Sequence, residues 1–330
     1  MNGRLAAALR ALRGEAAEPD VAPDPLVAAS DVDPVDRAIA TLRETPIAEI
    51  QQRGYHFQPR DYYSALNDLS FLEQNSDLWH HRGMPAAVDW NLDGQLELLR
   101  QIAPLIGELE DIPDEMAPGD PSYHWRNDFW SGPDAGIHYG MLRNAKPRRV
   151  VEIGCGWSSL LMARALARNE AEGAPQTAVD QIEPYARKEL LRALPEHWDL
   201  HEAMLQRAPL EPFERLGAGD VCFYDGSHVA RAGSDVNWFF FEVVPRLAPG
   251  VLLHVHDIFW PSDYPDQWIF ERGQTWNEQY VLQAFLMYNR EFEPLACTSA
   301  LVAAFPEEVQ RLLVFLPTVH GGGSVWLRRR

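Results

Sequence analysis

Two short runs in the second half of the chain gather the side chains that can move protons or hold a metal. His228 follows Asp225 by three positions, and His254, His256 and Asp257 stand together further on. An imidazole beside a carboxylate can accept a proton near neutral pH, because the carboxylate orients the ring and stabilises its charged form. Carboxylates and imidazoles at one place can equally hold a divalent metal that makes a nearby hydroxyl more acidic. Both readings stand on the residue types alone. In one, His228 or His256 is a general base oriented by Asp225 or Asp257. In the other, Asp225, His228 and Asp257 are metal ligands, with His256 as a further donor. His254 reads as a hydrogen-bonded core residue, and a third reading leaves Asp225 merely capping a helix or ordering a loop.

A second constellation lies upstream. The run Val151-Glu152-Ile153 leads into Gly154-Cys155-Gly156, where the lack of a Cβ lets backbone N–H groups approach a nucleotide-like ligand. The third glycine of the dinucleotide fingerprint is replaced by Ser159, and an acid stands two positions before the first glycine, so a pyrophosphate fits poorly. Glu183, 27 residues after Gly156, is placed to accept hydrogen bonds from two ribose hydroxyls. The ligand these residues suit is a nucleoside without phosphates.

Such residues need strand ends to hold them. Arg149 to Ile153, Thr177 to Ile182, a stretch near Asp199 to Ala203, Val221 to Tyr224 and Val251 to Val255 read as strands. Between them, Ser158 to Arg168, Tyr185 to Leu194 and Asp235 to Leu247 read as helices. That alternation specifies a parallel sheet covered on both faces. Upstream, Asp134 to Arg143 reads as a helix, and Leu92, Leu96, Leu99, Ile102 and Ile106 recur at helical spacing from Asn91 to Glu110, with Pro104 as the place for a kink. Downstream, Trp276 to Asn289 reads as a helix opened by a capping box, Thr275-x-x-Glu278, and strands are expected at Phe292 to Cys297 and Ser324 to Leu327. Residues 1 to 45, rich in Ala, Pro and acids, read as a mobile lead-in.

The 330 residues carry 29 Lys plus Arg against 48 Asp plus Glu, a formal charge of −19, which repels phosphate backbones and anionic lipid surfaces. Nucleic acid and membrane are therefore not the expected partners. Apolar runs fall short of a membrane span, and the stretch Leu5 to Leu12 is too short for a secretory signal. The three cysteines have no CxxC spacing, and an odd number suits a reducing compartment, so a cytoplasmic location is expected. With two lysines in the whole chain, the basic residues show the arginine bias of a GC-rich bacterial genome.

Taken together, Val151-Glu152-Ile153-Gly154-Cys155-Gly156-Trp157-Ser158-Ser159, Ile182-Glu183-Pro184-Tyr185 and Val221 to His228 resemble the motifs of class I S-adenosylmethionine-dependent methyltransferases. His254 to Phe259 and Trp276 to Tyr280 are similar to the bacterial group known as methyltransferase domain 24, and the likeness extends upstream to Tyr55-His56-Phe57 and Asn91 to Gln95. The resemblance implies an α/β Rossmann-like sheet of about seven strands. It also implies S-adenosyl-L-methionine across the carboxyl ends of strands one, two and four. Glu152, Gly154, Gly156 and Ser158 would hold its methionine side and Glu183 its ribose, with Asp225 beside them. His228, His256 and Asp257 would serve the chemistry, and a divalent metal would sit on Asp225, His228 and Asp257 in the metal reading. The expected organisation is a lead-in (1–45), an N-terminal helical and aromatic cap narrowing the acceptor site (46–133) and the cofactor-binding domain (134–330). The expected reaction methylates an oxygen, in preference to a nitrogen, of a small molecule or glycan precursor. The alternatives are an NAD-dependent oxidoreductase and a non-catalytic scaffold of the same fold.

Overall fold

The computed structural model describes residues 33–80, 83–319 and 321–330. The chain divides into two compact units, residues 1–65 and 66–330. In the first, α1 (Pro34–Glu44) and α2 (Ile47–Gln52) lie within or just beyond the stretch read as a lead-in. Proline is tolerated at the first helical position of α1, where its missing N–H has no partner to lose, and the Asp33 side chain caps the turn by accepting from the Val35 N–H. The rest of that lead-in, residues 1–32, lies outside the described residues.

The second unit contains α3 (Leu69–Gln74), α4 (Leu92–Ile106), α5 (Gly132–Ala145), β1 (Arg149–Ile153), α6 (Trp157–Ala171), β2 (Ala178–Ile182), α7 (Lys188–Leu191), β3 (Asp199–His201), α8 (Glu211–Glu214), β4 (Val221–Tyr224), α9 (Asp235–Trp238), β5 (Leu252–His256), α10 (Glu278–Leu286), β6 (Phe292–Cys297), α11 (Thr298–Ala304), α12 (Pro306–Leu312) and β7 (Ser324–Arg329). Among the described residues the strands form one sheet, ordered β3-β2-β1-β4-β5-β7-β6. The first five pair in parallel, and β7 runs antiparallel between β5 and β6. The chain leaves β1 towards β2 and β3, then returns to β4 on the other side. This reversal opens a crevice at the carboxyl ends of β1 and β4.

The central strands are apolar because both faces are covered. On one side, Leu96, Leu99, Ile102 and Ile106 of α4 pack with α5, α6 and the sheet residues Val150, Phe223 and Trp326. Burying each such side chain contributes about 1.5–3 kcal/mol. On the other, Val151, Ile153, Cys222, Tyr224 and Val255 meet Val236, Phe239 and Val243. Residues 92–112 of the segment read as a cap thus belong to the layer flanking the sheet.

Several elements differ from expectation. The helix over Tyr185 to Leu194 is reduced to the single turn of α7. The helix expected over Asp235 to Leu247 is α-helical only to Trp238, then widens to a π turn (Phe239–Val243) and tightens to a 3₁₀ turn (Val244–Arg246), because Pro245 cannot supply an amide to continue it. The segment between β6 and β7, read only as a connection, forms α11 and α12, the latter with Pro306 at its first position.

Candidate functional site

The strand ends at the crevice carry most of the residues singled out by their chemistry. Ile153 pairs with Ile182 and Tyr224 with Val255, so Gly154, Glu183, Asp225 and His256 emerge side by side along the sheet edge. The Gly154 N–H donates to the Ile182 carbonyl (3.0 Å), and the Asp225 N–H donates to the Ile153 carbonyl (2.9 Å). Gly154 has φ +82°, and a Cβ there would stand 2.0 Å from the Asp225 carbonyl oxygen. Only glycine satisfies both constraints.

Two adjoining hollows of about 320 and 280 Å³ open over these strand ends, and Gly154, Glu183, Tyr185, Asp225 and Gly226 line both. The first is walled by Phe129, Trp130, Gly156, Ser158 and Arg187. The second is more apolar, reaching Ile153, Ile182, Met204, Leu205 and Gln206. Gln206 donates through Nε2 to the Gly233 carbonyl (2.6 Å), while its Oε1 is buried and accepts nothing among the described residues. This residue was not singled out from the sequence, because the strand before it, β3, is three residues long and weakly patterned. An acceptor beside an apolar slot, a carboxylate at its mouth and a glycine loop with free approach fit an adenosine carrying an amino-acid tail.

Glu152 is placed beneath the loop and does not line either hollow. It is fully buried, and its oxygens accept from Ser158 Oγ (2.9 Å), Ser159 Oγ (2.7 Å) and Gln181 Nε2 (2.6 Å). Ser159 Oγ in turn accepts from the Gly156 N–H (3.0 Å). The acid therefore anchors the loop from behind. Burial pushes its carboxyl up to about 7, against the lowering effect of these three donors. Glu183 is half-buried, and its Oε1 accepts from the Tyr185 N–H (2.7 Å), which fixes the turn after β2.

Beside the first hollow, Asp225, His228 and Asp257 bring their donor atoms within 4.8 Å of one another. His228 Nε2 stands 3.3 Å from both Asp225 Oδ1 and Asp257 Oδ2. His228 and Asp257 both adopt left-handed backbone conformations, φ 59° and 57°, which cost non-glycine residues about 1–2 kcal/mol each. His256 Nδ1 faces the same two oxygens at 3.6 and 3.7 Å, and its Nε2 is 3.7 Å from Asp134 Oδ2. Trp130 lies against the His256 ring at 4.5 Å and walls the hollow on that side. Burial opposes charge on both imidazoles, yet the surrounding carboxylates raise His228 to about 10 and hold His256 well above its ordinary value. For Asp225 burial is outweighed by His256 and His228, and its carboxyl is held well below the usual range. For Asp257 burial wins, and its carboxyl is raised.

His254 is in the core, stacked between Phe223 (4.5 Å) and Trp326 (4.3 Å), with Nδ1 3.1 Å from His138 Nδ1. Glu278 is corrected: it is not the partner in a capping box. The helix begins only at Glu278, with Asn277 as its N-cap, so Thr275 does not cap it and Glu278 is not the third helical residue; the Asn277 and Glu278 N–H groups donate to the His228 carbonyl (3.0 and 3.2 Å). Glu278, buried, stands with Oε2 2.9 Å from His228 Nδ1, which directs Nε2 towards Asp225 and Asp257. Asp235 accepts from Tyr224 Oη (3.1 Å) and from the Ser227 N–H (2.7 Å), bracing the loop after β4.

A family model described as a methyltransferase domain matches residues 151–258, the stretch from β1 through β5 that builds this site. No curated protein matches the chain. Similar solved structures include the MycE methyltransferase from the mycinamycin biosynthetic pathway in complex with Mg and SAH (21% identity over 38% of this chain and 33% of that one, TM-score 0.27). The same enzyme with Mg, SAH and mycinamycin VI matches at 15% identity over 83% and 68%, TM-score 0.32. The cmcI protein with Mg and SAM matches at 17% over 85% and 99%, TM-score 0.31. The chain spans a third of the length of the first of these. The stretch from β1 through β5, residues 151–258, is thus the part of the chain that matches a methyltransferase domain, on a sheet ordered as described above.

Proposed function

We propose that this protein transfers a methyl group from S-adenosyl-L-methionine to a hydroxyl oxygen of a small molecule or glycan precursor. The observation that carries this reading is the adjacency of the nucleoside-shaped hollow and the Asp225, His228 and Asp257 cluster, which share Asp225 as a common wall. The cofactor supplies an electrophilic methyl on a sulfonium. The chain's own residues do the rest. Glu183 accepts the ribose hydroxyls, Gln206 Oε1 accepts from the adenine amino group, and the Gly154 to Gly156 backbone with Ser158 receives the amino-acid end. Phe129 and Trp130 keep water from the methyl.

An oxygen acceptor is favoured over nitrogen because a neutral amine attacks without losing a proton first, whereas a hydroxyl needs a base or a metal beside it. The cluster is suited to that demand: Asp225, His228 and Asp257 would hold a divalent ion, which would make the acceptor hydroxyl more acidic, or the imidazoles would take the proton. The acidic surface disfavours a nucleic-acid acceptor. No helix among the described residues is long and apolar enough to cross a membrane. The three thiols, none paired, suit a cytoplasmic setting.

Calorimetry with S-adenosylmethionine, its demethylated product and NAD tests the reading. Both sulfur nucleosides should bind and NAD should not, and Glu183→Ala should weaken them by about 1.5–3 kcal/mol. Tighter binding of NAD than of either sulfur nucleoside would replace methyl transfer with the oxidoreductase alternative.

A further inference from the structure

The lining of the first hollow includes a cation that no residue of the chain neutralises. Arg187 follows Glu183 by four positions and, among the described residues lining the two hollows, is the one basic side chain, set against the carboxylates of Glu183 and Asp225. It is exposed and makes no ion pair among the described residues; its guanidinium carbon stands 5.0 Å from the centre of the Phe129 ring, which lines the same hollow. Phe129 is 66% exposed and is held at the rim by the buried Asn127. Asn127 Oδ1 accepts from the N–H groups of Phe129 (3.1 Å) and Trp130 (2.7 Å), and its Nδ2 donates to the Trp130 carbonyl (2.9 Å). Arg187 is fixed from its own side, since its carbonyl accepts from the N–H groups of Leu190 (3.0 Å) and Leu191 (3.1 Å), and Leu190 is buried. An exposed cation–π contact is weak, so the guanidinium is parked beside the hollow with its N–H donors open to a ligand.

We infer that Arg187 receives the carboxylate of the bound S-adenosyl compound, with Phe129 as the residue that positions its guanidinium, and that this pair distinguishes a nucleoside with an acidic tail from one without. The inference rests on the methyltransferase reading proposed above and deepens it. S-adenosylmethionine brings three charges into the hollow: a sulfonium, an ammonium and a carboxylate. Glu183 and Asp225 suit the first two and repel the third, so the carboxylate needs a cation, and Arg187 is the one that the lining supplies. The glycine loop does not meet that need by itself, because the Gly156 N–H is already taken by Ser159 Oγ (3.0 Å). A guanidinium can bond a carboxylate through two parallel N–H groups, which a lysine at the same place cannot do. Moving from the Phe129 ring to the carboxylate exchanges a weak contact for a charge-assisted one.

The test is calorimetry on the full chain with S-adenosylhomocysteine and with its carboxamide, in which a neutral amide replaces the carboxylate and nothing else changes. Wild type should bind the acid about 10–30-fold more tightly than the amide, the lower part of the range for hydrogen bonds to charged groups because the guanidinium is exposed. Arg187→Met and Arg187→Gln should each weaken the acid by that factor and the amide by less than about twofold, so that the two losses do not add. Arg187→Lys, which keeps the charge without the fork, should retain part of the preference. Phe129→Leu should reduce the preference for the acid by about 2–5-fold. Circular dichroism checks that each variant is folded, and two Arg187 variants are used so that misfolding of one leaves the other to decide. Equal losses for acid and amide in the Arg187 variants, or an acid affinity that they leave unchanged, would overturn the inference, and an unchanged preference in Phe129→Leu would remove Phe129 from it. Wild type that binds acid and amide equally defeats this inference alone, whereas wild type that binds neither defeats the methyltransferase reading beneath it.

Discussion

Glu152 is a carboxyl group placed where water does not reach, and its hydrogen bonds to Ser158, Ser159 and Gln181 anchor the loop. The ionised form is matched by three donors, but burial outweighs them and raises the group from 4.5 to about 7. The folded chain therefore holds this proton more tightly than the unfolded chain. Its contribution is most favourable below pH 4.5 and is lost as the pH rises through 7, a change of about 3 kcal/mol. Urea melts at pH 5 and pH 8 should show wild type losing about that much relative to Glu152→Gln; equal pH dependence in both would contradict it. Gly154→Ala meets a harder limit, a backbone oxygen at 2.0 Å in a left-handed conformation, and should yield protein that neither folds stably nor binds cofactor. A folded variant with unchanged affinity, judged by circular dichroism and calorimetry, would count against the loop geometry. At this scale the sequence was legible where residue type alone signals chemistry, as for Asp225, His228 and Asp257. It was silent on Gln206, read Asp134 only as the start of a helix because distant segments decide what those side chains face, and misassigned Glu278. That residue fits a capping spacing from Thr275, yet the helix starts only at Glu278, which frees its carboxylate to face His228.

Among the elements, α4 to α6 are tied by one buried cation. Arg143, 1% exposed, pairs with Glu108 (2.9 Å) and Glu172 (2.5 Å), and also bonds the Asn169 side chain. Replacing it with methionine leaves the half-buried Glu108 without its partner and should cost about 1–3 kcal/mol, lowering the melting temperature by roughly 2–12 °C. Arg143 holds the Glu108 carboxyl below its ordinary value, so the pair's contribution is complete above pH 4.5 and fades as the pH falls. The gap between wild type and Arg143→Met should accordingly narrow in acid; a gap that is absent at neutral pH would remove the network from the stability account. The elements themselves were readable where burial is uniform: β4 is apolar from Val221 to Tyr224 and occupies those residues. They were harder to read where tertiary contacts decide, as in the π and 3₁₀ turns that extend α9, because helical periodicity does not distinguish one helical winding from another.

The whole molecule comprises two compact units, residues 1–65 and 66–330. Among the described residues, those lining both hollows and the donor cluster lie in 66–330. A fragment spanning 66–330 should therefore bind S-adenosylmethionine within about threefold of the full chain, provided circular dichroism shows it folded. A folded fragment with no affinity would show that residues 1–65 complete the site. The net charge of −19 surrounds the chain with a field that disfavours polyanionic acceptors, so acceptor screening belongs first with neutral or cationic compounds. The most direct measurement is a crystal structure of the full chain grown with S-adenosylhomocysteine. Ribose hydroxyls on Glu183, adenine against Gln206 and the amino-acid end on the Gly154 to Gly156 backbone are the predicted result. Ligand density anywhere else, or a hollow closed over by Trp130 and Tyr185 with no ligand inside, would contradict it.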